Sequence, residues 1–187
     1  MLKTIEATAA VYPAPVLIVG TYGKDGKPNA MNAAWGGQCG PRHVSLSLSA
    51  HATTDAIVAN RVFTVGIADR ANVVPADYVG IVSANKEPDK IAKAGWTVER
   101  GERVDAPVIQ ELPVTMECEA VSISEEFGET RVVGEVVATH VDERFIADDG
   151  KISYDGMDAI AFVSGGLGYH VVGERVGNAF RDGAALK

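Results

Sequence analysis

Cysteine is nearly missing from this chain. Cys39 and Cys118 are the only two in 187 residues, and neither sits in a C-x-x-C or a Cys/His ligand spacing. That argues against a structural zinc site and predicts two free thiols in a reducing cytoplasm. Positive charge is also short: 17 Lys and Arg face 25 Asp and Glu, a net charge of −8. A nucleic-acid binder would need a basic stripe, so that class is excluded. An anionic ligand would have to be held by a local cation or by backbone amides against the overall field. No window approaches the ~18 uninterrupted apolar residues of a membrane span. The stretch "MLKTIEATAAVYPAPV" has no basic head followed by an apolar run, so no signal peptide is expected.

Most catalytic signatures are absent as well. No Gly-Lys is followed by Ser or Thr in the frame of a phosphate-binding loop. "SGGLGYHVVG" offers Gly166-x-Gly168, but Val171 stands where a dinucleotide fingerprint needs its third glycine. His43, His51, His140 and His170 show no H-E-x-x-H and no metal spacing. No G-x-S-x-G elbow occurs, so serine-hydrolase chemistry has no support. With no catalytic group of its own on view and no metal ligands, the chain is expected to leave any hard chemistry to a cofactor.

What remains reads as strands. Apolar residues make up 47%, enough for a core, and one domain over 1–187 is expected. "APVLIVGTYG" reads as a buried strand and Asp25-Gly26 as a hairpin turn. "HVSLSLSA" alternates strictly: Val44, Leu46 and Leu48 point one way, Ser45, Ser47 and Ser49 the other. "TTDAIVANR" predicts a short helix capped by Thr53 or Thr54. "VFTVGIA" is a further strand. "NVVPADYVGIVSANKEPDKIAKAGW" predicts two short helices, broken by Pro75 and by "NKEP", with Gly95 ending the second. "LPVTMECEAVSISEE" and "TRVVGEVVATHVDE" read as strands joined at "FGE", and "AIAFVSGGLGYHVVG" adds a strand and a glycine-rich passage. At least six strands with only short helices disfavour a doubly wound parallel sheet and favour an antiparallel barrel.

The stretch "PNAMNAAWGGQCG" reads as a small, polar, Gly-rich connection between strands, yet it carries Trp35, one of two tryptophans. Taken with the small hydroxyl face at 45–49, the helix start at Thr53-Thr54, and Lys90, it suits flavin mononucleotide (FMN). A flat amphipathic ring needs main chain close to its hydrogen-bonding edge, and an indole can pack on it or donate to it. A dianionic phosphate suits a helix N-terminus and a lysine.

The ordered set "YPAPVLIVGTYGKDGKPNAMNAAW", "SLSLSAHATTDAI", "F-x-V", "SANKEPDKIAKAG", "LPVTMECEAVSI" and "VVGEVVATHVDE" resembles the flavin reductase-like, FMN-binding split-barrel family, and within it the flavoredoxins. The resemblance implies a mainly β fold with short helices: a six-stranded antiparallel split barrel, a homodimer, and FMN near the subunit interface. It implies that Asn29 and Trp35 contact the flavin. Met31, Asn32, Ala33 and Ala34 would give main-chain contacts, and Ser47, Leu48 and Ser49 would lie beside ring or ribityl. Thr53 and Thr54 would stand at the phosphate, with Lys90 reaching the cofactor and Tyr169 covering the ring. Where many relatives have a histidine before the "G-E-V" strand, this chain has Glu129, a carboxylate that would repel a phosphate. The implied activity is electron transfer from NAD(P)H or a redox partner protein through FMN. The alternatives are a flavoredoxin-type carrier that holds FMN tightly without nicotinamide turnover, and a non-catalytic flavin-binding module.

Overall fold

A computed structural model describes residues 1–187. After an exposed N-terminal arm come β1 (Ala14–Pro15), β2 (Leu17–Tyr22), β3 (Pro28–Ala33), β4 (Gly36–Gly40) and β5 (His43–Leu48). Next are α1 (Ala52–Asn60), β6 (Val62–Ile67), α2 (Val73–Ile81), α3 (Lys90–Lys93), β7 (Val98–Arg100) and β8 (Pro107–Ile109). The long pair β9 (Val114–Glu126) and β10 (Glu129–Val141) follows, then β11 (Ile160–Val163) and β12 (Gly168–Val171). The expected antiparallel β architecture with short helices is what the chain adopts.

The main sheet runs β3-β2-β6-β9-β10-β5-β4, antiparallel throughout. It has seven strands, not six, because the stretch expected as a loop is itself two strands. β3 and β4 form the sheet's two edges, joined only by Ala34-Trp35, and that corner wraps the sheet into a split barrel. Small residues serve close packing there rather than looseness. A Cβ on Gly36 would lie 2.7 Å from both Leu46 Cδ2 and Ser45 O.

Two cores flank β2, which explains its unbroken apolar run. Leu17 and Val19 join Leu46, Leu48, Phe63, Val65 and Val132 inside the barrel. Val16 and Ile18 turn the other way, toward Ala30, Val79, Trp96 and Ile160 beneath α2. β11 and β12 continue that second layer, with β11 pairing β1 on one side and β12 on the other.

Local signals are partly corrected. The turn Phe127-Gly128 has φ of 54° and 82°, as a two-residue hairpin of mirror-image type requires. Gly95, at φ 77°, ends α3 as expected. The N-cap of α1 is His51, with no side-chain cap bond; Thr53 and Thr54 lie inside the first turn and are buried. They read as caps because of residue type, but their hydroxyls are used tertiarily. Pro75 does not break α2. It sits in the first turn, where a missing N–H costs nothing.

One buried charge ties the barrel to the β7–β8 connection. The Glu117 carboxylate is fully buried and accepts from the amides of Glu102 (3.0 Å), Arg103 (2.8 Å) and Val104 (2.8 Å) and from His140 Nε2 (2.6 Å). Burial pushes its pKa up, but His140 and the three amides outweigh that and hold it below the usual carboxylate range.

Candidate functional site

A cleft opens where the edge strand β3 meets the head of α1 and the segment between α2 and α3. As an edge strand, β3 leaves alternate N–H and C=O groups unpaired by the sheet. Two cavities share Asn29, Ala52 and Ala84 on their walls. The smaller, about 160 Å³, is lined by Asn29, Met31, Asn32, His51, Thr53 and Lys90 among others. The larger, about 820 Å³, runs past Thr54 along α1 to Lys24, Lys27 and Glu125. The larger lies within the roughly 300–1,000 Å³ usual for small-molecule sites.

Asn29 is 5% exposed. Its amide donates to Thr53 Oγ1 at 2.8 Å, which leaves the buried Oδ1 with no partner. Leaving a buried acceptor unmatched costs about 1–3 kcal/mol, so this atom points to a ligand that supplies the donor. Lys90 is 3% exposed, and its Nζ donates to Val79 O (3.1 Å) and Val82 O (2.8 Å), closing the C-terminus of α2. It has no carboxylate partner, and burial pulls its pKa down to about 8. Two donors of the ammonium are used and a third is left over. Facing it across the small cavity, the first turn of the nine-residue α1 presents backbone amides and the positive end of its dipole. An unpaired buried cation beside a helix N-terminus suits an anion, and the Asn29 oxygen suits a neighbouring donor.

The structure thus brings together Asn29, Met31, Asn32, Thr53 and Lys90 in one cavity, and Asn29 and Thr54 in the other. The Thr54 hydroxyl is committed to Ser49 O at 2.7 Å, closing the turn from β5 into α1. Other predicted residues lie elsewhere. Ala33 and Leu48 point into the barrel core, so only their main chain can face a ligand. Ala34, Trp35, Ser47 and Ser49 sit at or beside the corner; Ser47 N–H donates to Trp35 O at 2.7 Å, and the indole is 66% exposed. Tyr169 is tied under α2. Its hydroxyl donates to Asp77 Oδ1 (2.8 Å) and accepts from Asn32 Nδ2 (3.3 Å), while Asn32 also donates to Ala76 O (3.2 Å). Burial, then the Asp77 bond, raises the Tyr169 pKa to about 12. Glu129 lines neither cavity; the carboxylates at the larger one come from Asp25, Asp55 and Glu125. Missed in the sequence were His51, Lys24, Lys27 and the 79–84 segment. "HATT" ahead of a helix could have flagged His51; nothing local flags the rest.

Residues 9–155 match the family profile described as "Flavin reductase like domain". The chain belongs to the flavin reductase-like family. The flavoredoxin of Desulfovibrio vulgaris (Miyazaki F) is similar at 38% identity, covering 98% of this chain and 100% of that one, with a TM-score of 0.92. The flavoredoxin of Methanosarcina acetivorans is similar at 28% identity over 100% of both chains, with a TM-score of 0.90. An uncharacterized protein of Aeropyrum pernix is 29% identical over 144 residues, 75% of this chain. This chain spans about half, 55%, of the length of that curated relative. The flavin reductase-like split barrel is therefore the fold, and no helix in it is long and apolar enough to cross a membrane.

Proposed function

We propose that this flavin reductase-like protein is an FMN-binding oxidoreductase that passes electrons from NAD(P)H or a redox partner protein through the flavin. The observation that carries the proposal is the pairing, in one cleft, of a buried cation with no counter-charge, Lys90, with an unpartnered buried oxygen, Asn29 Oδ1. An anionic tail and a hydrogen-bonding ring edge on one molecule satisfy both. When bound, the flavin supplies the two-electron and one-electron chemistry that the side chains lack. Lys90, the α1 amides at Thr53-Thr54 and His51 hold the phosphate. Asn29 accepts from a ligand donor, and the edge of β3 from Met31 to Ala34 presents main chain to the ring. Trp35, Ser47, Leu48 and Ser49 form the flank at the corner. Tyr169 acts at one remove, by fixing the Asn32 amide.

The protein works as one unit over 1–187, in the reducing cytoplasm, and as a homodimer with the flavin near its interface. A compact monomer of 19.6 kDa should expose about 8,600 Å² by surface scaling. This chain exposes 11707 Å². Over two copies the excess is roughly 6,000 Å², at the upper end of what obligate homodimers bury, and the exposed terminal segments supply part of it. The likeness to two flavoredoxins supports a second reading, a carrier that keeps FMN and has no nicotinamide turnover.

Titration of ligand-free protein with FMN, followed by visible absorption and flavin fluorescence, tests the central claim; absence of binding ends it. Anaerobic NADH and NADPH titrations then separate the readings. A reductase bleaches the flavin with one of them. A carrier stays yellow through dialysis and is bleached only by a partner protein or dithionite.

A further inference from the structure

A third cavity, about 600 Å³, lies at the open end of the barrel and shares no wall residue with the other two. Its floor is apolar: Leu17, Val65, Ile67, Met116 and Val136. Its rim includes β4, through Gly37, Gln38 and Gly40. β4 is hydrogen-bonded only on its β5 side; β1 approaches it without pairing, and Pro15 shares the cavity wall. The other edge of β4 carries only part of the usual protection. Its sequence is Gly-Gly-Gln-Cys-Gly, with no lysine or proline; a bulge at Cys39 and the Gln38 amide donating to Gly40 O guard its far end, while a Cβ added at Gly37 would meet nothing within 4 Å. Such an edge beside an apolar hollow is the geometry of strand addition: main chain pairs with the edge while alternate side chains enter the pocket.

The chain carries a segment of matching pattern. Residues 5–11 read Ile-Glu-Ala-Thr-Ala-Ala-Val, with Ile5, Ala7, Ala9 and Val11 on one side of an extended strand. Yet residues 1–12 form no strand in this protomer and are exposed throughout, Ile5 at 76% and Val11 at 88%. A strand pattern without a sheet and a sheet edge without a pairing strand are together satisfied by exchange between two copies. We propose that residues 4–11 of one copy add to the β4 edge of a second copy, turning Ile5, Ala7, Ala9 and Val11 toward its barrel mouth. Eight extended residues span about 26 Å, more than the roughly 17 Å of the five-residue β4. The exchange is reciprocal, as two-fold symmetry requires. It rests on the dimer proposed above and assigns that dimer an interface.

The native Cys39 makes this testable. It is exposed and lies on β4, as the extra residue of a bulge between Gln38 and Gly40. Paired strands bring Cα atoms to about 4.5–5.5 Å, within disulfide range. Cys39 does not line the barrel mouth, so its cross-strand neighbours lie on the arm's other face. Single variants Glu6→Cys, Thr8→Cys and Ala10→Cys are oxidised with diamide and run on non-reducing gels. At least one should give a covalent dimer, and Cys39→Ser in the same background should abolish it. Separately, deletion of residues 2–10 should weaken the dimer at least a hundredfold by light scattering on a sizing column. A wild-type dimer that survives the deletion unchanged and gives no interchain link overturns the arm exchange but leaves the dimer standing. A link formed within one chain also overturns it, placing the arm on its own barrel. A monomeric wild type overturns the dimer itself.

Discussion

Replacing Lys90 by methionine separates a ligand-binding lysine from a structural one. Burial drops its pKa from 10.5 to about 8, and at ~1.4 kcal/mol per pH unit the charged form is penalised by about 3 kcal/mol. Its bonds to Val79 O and Val82 O offset this, at about 1.5–3 kcal/mol for each charged hydrogen bond. Lys90→Met removes the penalty and the bonds together. The unfolding free energy in urea at pH 7, without ligand, should therefore stay within about 1 kcal/mol of wild type. FMN affinity has no such compensation, and loss of the buried cation should weaken it at least tenfold by fluorescence titration. The sign of the pH dependence is fixed too. Between pH 8 and 10.5 the unfolded chain holds a proton that folded Lys90 has released, so this group adds stability as pH rises through that window. Cys118 and Tyr169 work the other way above their ordinary values of 9.0 and 10.0, because burial raises both to about 12. The Lys90 contribution is therefore read as the difference between wild type and variant. A variant that loses about 3 kcal/mol at pH 7 yet binds FMN normally would refute the reasoning.

Trp35→Ala should weaken FMN binding severalfold with little change in melting temperature, because the indole is largely exposed without ligand; unchanged affinity removes it from the site. Glu117→Ala leaves three amides and His140 without their acceptor, and should cost about 3–5 kcal/mol, seen as a lower urea midpoint. In wild type the stability held by this low-pKa carboxylate is present at neutral pH and is lost as pH falls through its folded value, so acid melts of wild type should converge toward those of the variant. A thiol reagent should label one cysteine quickly in the native protein, the exposed Cys39, and reach Cys118 only on unfolding; two fast thiols would mean the barrel core is open.

How far the sequence could be read depended on whether a signal was local. The β9–β10 hairpin was legible because Phe127-Gly128 interrupts two long β-rich runs, and β5 because its alternation separates a core face from a hydroxyl face. Helix α1 was legible in place but not in its cap. Thr53 and Thr54 are capping residues by type, yet their hydroxyls are claimed elsewhere, Thr53 by the distant Asn29 and Thr54 by Ser49 O in the turn that leads into the helix. Lys90 could be named from sequence, whereas its environment could not: its partners, Val79 and Val82, are backbone carbonyls, and any residue type supplies those. Tyr169 could likewise be named from sequence, whereas its hydrogen-bond environment could not. Its role depends on Asp77 and Asn32, 92 and 137 positions away.

The stretch at 28–40 shows why composition misled there and what composition was for. Alanine, asparagine and glycine suggest a loop because they pack little and tolerate turns. Here they build two edge strands, where a small side chain has a different consequence: it leaves backbone hydrogen-bonding groups within reach of whatever approaches. On β3 that exposure faces the cleft holding Lys90 and Asn29 Oδ1. On β4 it faces the apolar mouth of the barrel. Trp35 stands at the corner between the two edges, and its carbonyl is pinned by Ser47 N–H at 2.7 Å. One rigid corner thus aims one edge at the proposed cofactor and the other at the proposed partner. At Gly36 any side chain would collide with Leu46 and Ser45 before it reached solvent. The bareness of the segment keeps both edges open.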